Sequence, residues 1–152
     1  MITLENRGPK LAETDIASLE ASLGVSLPAE YRNFLRDANG GVPTPDVVDI
    51  AEYPGSSTDV QVLFGVRREV ETSWIEWNTR TLAQRLGEGF LPIACDSGGN
   101  VFCLSLRPLD KGAVLYCDLE ACFADYESEP QYYHVAPSFE SFLGKLRPLA
   151  AP

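Results

Sequence analysis

The sequence predicts an α+β fold: an antiparallel or mixed sheet meander packed against N-terminal helices and a C-terminal helix. Three observations predict it. Apolar residues recur at helical spacing between residues 14 and 41, and again after Ser138. Between them, residues 91–136 hold short β-rich runs separated by turns containing Gly, Asn or Asp. Helices, then a meander, then a helix is the order of an α+β chain rather than of a parallel wound sheet. At 152 residues and 45% hydrophobic, the chain is expected to form one domain spanning residues 1–152.

Each element has a local justification. Ile2 and Leu4 could start an edge strand or stay loose. In the first helix Ile16, Leu19 and Leu23 share a face. Thr14 is placed to cap it, Asp15 suits the positive helix start, and Gly24 suits a left-handed end. Pro28 is placed to open a second helix at its first position, where a missing N–H costs nothing. Tyr31, Phe34, Leu35 and Ala38 give that helix its apolar face, and Asn39-Gly40-Gly41 stops it. Residues 42–59, with three prolines, read as a solvated loop containing a short strand at 47–50. Residues 60–64 read as a buried strand. Residues 70–86 read as a helix with Ile75, Thr79, Leu82 and Leu86 on one face, and one of Trp74 and Trp77 is expected to be exposed.

The meander follows, with strands expected at 91–95, 101–106, 113–116 and 132–136. The separators 96–100 and 108–112 carry the Gly, Asn and Asp residues that hairpin turns require. Tyr132 and Tyr133, adjacent in a strand, must face opposite ways, so at least one belongs to the core. Ser138 is placed to cap the last helix, whose Phe139, Phe142, Leu143 and Leu146 keep helical spacing before Pro148.

Charge excludes whole classes of partner. The chain has 22 Asp and Glu against 12 Lys and Arg, a formal net charge of −10. Phosphate backbones and anionic membrane surfaces would repel it, since both need Lys and Arg to displace counterions. No stretch free of charged residues exceeds 10 residues, far short of the roughly 20 that span a bilayer. Residues 1–10 lack the apolar run of a secretory signal, and a cytoplasmic location is expected. Cys95, Cys103, Cys117 and Cys122 lack the close spacing of zinc or redox pairs, so they read as reduced thiols, mostly in the core.

Evidence for catalysis is absent from the sequence. The single histidine, His134, lies in a strand-like run with no nucleophile motif directed at it. Gly40-Gly41 and Gly98-Gly99 are not followed by the Lys and Ser/Thr of a phosphate loop. No enzyme activity, cofactor or metal is therefore expected. The acids are more informative. No Lys or Arg occurs from residue 37 to 66, nor between Lys111 and Lys145. Two acidic segments result, one with Asp46, Asp49, Glu52 and Asp59, the other with Asp118, Asp125, Glu127 and Glu129. Tyr126 lies among the second group as an aromatic anchor. Such a face either serves solubility alone or attracts a basic partner.

Several segments together resemble the SUKH superfamily, which includes the Smi/Knr-type regulators and many bacterial immunity proteins. The opening signature is matched by Leu23-Gly24, Leu27-Pro28, Tyr31, Phe34-Leu35 and Asn39-Gly40-Gly41. Phe64-Gly65, then Leu91-Pro92-Ile93-Ala94 with Asp96 and Gly98-Gly99-Asn100, resembles the central signature. Gly112 to Tyr116 with Asp118, and Phe139 with Phe142-Leu143, resemble the ending. The resemblance covers about residues 14–147, which it implies is the core of a Smi/Knr-like domain. It implies a protein-binding domain, most often an immunity protein neutralising a toxin, and supplies no catalytic residue. The acidic loop after Gly41 and the segment 122–130 depart from the pattern and are where partner choice is expected. The expected partner is a basic toxin domain, such as a nuclease whose groove accepts acids in place of phosphate. A regulatory scaffold for endogenous proteins is the alternative. A small-molecule sensor or enzyme would need polar groups converging near His134 or Cys117.

Overall fold

A computed structural model describes residues 2–119 and 130–150. The elements run β1 (Thr3–Glu5), α1 (Glu13–Leu23), α2 (Ala29–Asp37), β2 (Val42–Thr44), β3 (Val47–Asp49), β4 (Ser57–Asp59) and β5 (Val62–Leu63). A 3-10 turn (Glu71–Ser73) and α3 (Ile75–Thr81) precede β6 (Phe90–Cys95), β7 (Val101–Ser105), β8 (Val114–Asp118), β9 (Gln131–Ala136) and α4 (Phe139–Gly144). The fold is α+β, as the order of elements requires. An antiparallel sheet in the order β5-β6-β7-β8-β9 carries two small two-stranded ribbons, β1-β2 and β3-β4, beside it.

The sheet is covered on both faces, which explains why β7 is buried at every residue. Phe102 and Leu104 point into the main core with Ile16, Tyr31 and Leu35 of the first helices and Phe139 and Phe142 of α4. Val101 and Cys103 point the other way, into a smaller cluster with Cys117, Leu119 and Leu82. Tyr133 packs against the main core and Tyr132 against the smaller cluster, so the adjacent tyrosines do face opposite ways.

Helix ends follow local chemistry, with corrections. The residue capping α1 is Ala12 rather than Thr14: its N–H donates to the Asp15 carboxylate at 2.7 Å, while Thr14 lies inside the helix. Gly24 ends α1 at φ +68°. Pro28 sits just outside α2, where its carbonyl accepts the Arg32 N–H at 3.0 Å. Ser138 caps α4 as expected, its hydroxyl accepting the Ser141 N–H at 3.1 Å.

The long helix expected over 70–86 is shorter. Backbone at Ser73 and Ile75 bonds to Gly65, at 3.0 and 2.9 Å, which holds Trp74 extended and delays the helix to Ile75. Both tryptophans are half-buried, so neither is the exposed one. The supposed loop at 42–59 is largely paired: β2 binds β1, and β3 forms a hairpin with β4. Backbone bonding and contacts at the far ends of that hairpin hold it, and β4 shows no apolar alternation to announce it.

Candidate functional site

The first acidic segment lies on the β3-β4 hairpin, which is fastened to the sheet at both ends. Tyr53, in its turn, sets its ring edge-on against Tyr116 at 5.1 Å and Tyr133 at 5.2 Å. At the other end the Thr58 hydroxyl donates to Asp96 at 2.8 Å, and Asp59 accepts both the N–H and the hydroxyl of Ser97. Asp96 is 4% exposed. Its Oδ1 accepts the N–H of Gly98 at 3.0 Å and of Asn100 at 2.9 Å, which shapes the β6-β7 turn. Its Oδ2 accepts the Tyr116 hydroxyl at 2.5 Å.

Asn100 completes the arrangement. Its amide donates to Tyr116 Oη at 2.9 Å, and its carbonyl oxygen accepts the Leu119 N–H at 2.8 Å. Burial, reinforced by the Asp96 charge, raises the Tyr116 pKa, so the phenol stays protonated and donates. The network therefore joins β4, the 96–100 turn and the end of β8. Asp59 and Asp118 consequently lie at the same end of the sheet, where Asp118 is half-buried opposite Gln131.

The four acids of the hairpin divide into two kinds. Asp49 is clasped by Arg147, whose guanidinium donates at 2.9 and 2.7 Å, and reciprocal backbone bonds join Val47 and Arg147. These bonds hold the Asp49 carboxyl below its usual range. Asp59 is engaged by Ser97. Asp46 and Glu52 are exposed, and among the described residues neither carboxylate has an ion-pair partner. The free charges of this face are thus Asp46 and Glu52. Asp125, Tyr126, Glu127 and Glu129 lie outside the described residues.

The two groups near which a sensor or enzyme site would lie differ in exposure. His134 is exposed on β9, while Cys117 is buried in the smaller cluster. A cleft of about 230 Å³ between α3 and the sheet is lined by Trp77, Asn78, Leu82, Cys95, Val101 and others, and His134 is not one of them. Burial, with the Asp96 charge beside it, pushes the Cys95 thiol up to about 11, and burial also raises the Cys103 thiol well above its ordinary value. Both thiols are therefore protonated at neutral pH and poor nucleophiles. Among the described residues no group of three or more His, Cys, Asp or Glu could hold a metal ion.

A second polar knot, at the end of α2, explains the Asn-Gly-Gly stop. Asn39, fully buried at φ +55°, donates to the carbonyls of Pro9 and Val66 at 2.8 Å and accepts the Val66 N–H at 2.7 Å. A side chain at Gly40 would put its Cβ 2.6 Å from the Leu63 carbonyl, and one at Gly65 would lie 2.5 Å from that of Asn39. Both glycines are demanded by this close approach. The two knots occupy the positions of the opening and central resemblances, and the chain matches the SMI1 / KNR4 family (SUKH-1) over residues 10–145.

The chain belongs to the SMI1 / KNR4 family (SUKH-1). It is also similar to the SPbeta prophage-derived uncharacterized protein YokK of Bacillus subtilis (strain 168). That match is 26% identical over 147 residues, covering 86% of this chain and 72% of the relative. No solved structure matches it. The residues that carry the resemblance fasten turns and bury helices, so they account for the scaffold, and the acids of the hairpin are not among them. Sequence reasoning missed Tyr53, the residue that seats the hairpin, because one aromatic among prolines and acids gives no periodic signal. No helix of the described residues is long and apolar enough to cross a membrane.

Proposed function

We propose that this SUKH-1 domain is a cytoplasmic immunity protein that binds a basic toxin domain and blocks it by contact, with no chemistry of its own. The observation that carries this reading is the hairpin face. It is fastened to the sheet at both ends, lies in a stretch with no Lys or Arg from residue 37 to 66, and presents Asp46 and Glu52 without an ion-pair partner among the described residues. Polar groups spent on holding Asp49 and Asp59 keep the surface in one shape, and a preformed surface loses less conformational entropy on binding. Asp125, Glu127 and Glu129, with Tyr126 among them, add further acids in the sequence preceding β9 and lie outside the described residues. A nuclease groove, built to attract phosphate, is the toxin surface such acids would fill. A relative described as prophage-derived supports carriage on a mobile element.

Co-expression with a candidate toxin domain from a neighbouring gene tests the proposal. Growth should be restored, and the two chains should purify as a complex. Rescue without a physical complex, or a complex without rescue, contradicts neutralisation by binding.

A further inference from the structure

We infer that the groove between α2 and α4 receives an arginine side chain presented by a partner protein. Helical spacing brings Tyr31 and Phe34 of α2 to the side on which α4 packs. Phe139 of α4 meets Tyr31 at 5.0 Å and Phe34 at 4.8 Å. Tyr31 is buried by this contact, whereas Phe34 stays half-buried. A groove of about 240 Å³ results, lined by Phe34, Phe139 and Leu143 together with Glu30, Asn33 and Glu140. That volume falls below the roughly 300 to 1,000 Å³ of pockets for drug-sized ligands, so it suits one long side chain. Every lining residue is described, and α4 starts beyond Ala136, at the opposite end of β9 from Gln131.

Charge selects the occupant. The groove is lined by two carboxylates and no cation. The cations of the two helices are committed elsewhere: Arg32 pairs with Glu13 and Glu20, and Arg36 with Glu13 and Asp37. Lys145, just after α4, donates to the Val135 carbonyl at 3.0 Å. Glu30 accepts the Glu140 N–H at 3.3 Å, and among the described residues neither Glu30 nor Glu140 has an ion pair. Arginine matches both parts of this lining. Its flat guanidinium stacks on rings and forks onto carboxylates, and its stem packs on apolar surface. A second copy of the chain does not fit, because two molecules carrying −10 repel each other. Beside the groove, sharing Glu30 and Phe139, lies a hollow of about 210 Å³ lined by Pro28, Leu104 and Pro137, with Lys111 also in its wall. Its apolar lining suits an aliphatic residue next to the arginine. The inference rests on reading the chain as a protein-binding module, and adds a residue that the partner must present.

Two synthetic peptides test it on the full-length protein: end-blocked Ala-Leu-Arg-Leu-Ala, and the same peptide with citrulline, a neutral isostere, in place of arginine. The arginine peptide should bind with a Kd below about 10 mM, shifting the resonances of Phe34, Phe139 and Leu143. The citrulline peptide should bind at least about tenfold more weakly, a difference of about 1.4 kcal/mol. In Glu30→Gln/Glu140→Gln, whose side chains keep their size, that preference should vanish while the urea midpoint stays unchanged. Equal binding of the two peptides to the wild type overturns the inference, as does a preference that survives in the double variant. Shifts confined to Asp46 and Glu52, or no binding of the arginine peptide up to about 10 mM, overturn it as well. Growth rescue on co-expression is read separately, so failure of the peptide leaves neutralisation through the hairpin face standing.

Discussion

Asn39 holds two carbonyls and one N–H from chain segments 27 to 30 residues away, at a backbone angle that few side chains adopt. Replacing it with alanine keeps the volume small but orphans the Val66 N–H in a buried site. Asn39→Ala is expected to destabilise the protein by about 3 kcal/mol, read from the urea midpoint, since an orphaned buried group costs about 1 to 3 kcal/mol and the left-handed backbone adds strain. Asp49 makes the opposite case, an exposed acid whose value depends on pH. Its carboxyl is held low by Arg147, so the folded pKa lies below the unfolded one. Its contribution is complete above about pH 4 and is lost as pH falls through the lowered value. Urea midpoints of wild type and Arg147→Gln should differ at pH 6 and converge towards pH 2.5. The positions of Asn39 and Asp49 were legible in the sequence, one as a helix stop and one as an acid. Their partners were not, because both bonds close long loops that no spacing rule reaches.

At the scale of elements, the meander and the helices around it were legible because burial on one or two faces imposes a period. The four strands β6 to β9 fall in the four segments where β-rich runs between turn residues place them. Where bonding rather than burial decides, the sequence was silent. The hairpin partner β4 consists of Ser57, Thr58 and Asp59, none of them apolar, and polar anchors hold it to the 96–100 turn. The 70–86 segment has helical spacing throughout, yet Gly65 captures its first turn through the backbone. Tyr53 makes the hairpin testable. Truncation to alanine removes two ring contacts of a half-buried side chain, so Tyr53→Ala should cost about 2 kcal/mol, less than a fully buried aromatic. Hydrogen exchange should rise first in residues 47–59, while the five-stranded sheet stays protected. Uniform loss of protection across both would mean that the hairpin is not a separate unit.

For the whole molecule, net charge sets the expected behaviour towards partners, and the structure assigns the charges unequal roles. Sequence reasoning grouped Asp46, Asp49, Glu52 and Asp59 as equivalent contacts. Two of them turn out to hold the surface together, which a count of acids cannot reveal. Reversing all four would therefore confuse unfolding with lost attraction, whereas Asp46 and Glu52 can be changed with the fold intact. The most direct measurement is the association rate of the purified protein with the proposed toxin partner across ionic strength, for wild type and for Asp46→Lys/Glu52→Lys. At low salt the double variant is expected to associate at least about tenfold more slowly, with a flatter dependence on salt and an unchanged urea midpoint. Identical rates and salt slopes for the two proteins would contradict an acidic hairpin face as the surface that draws the partner in.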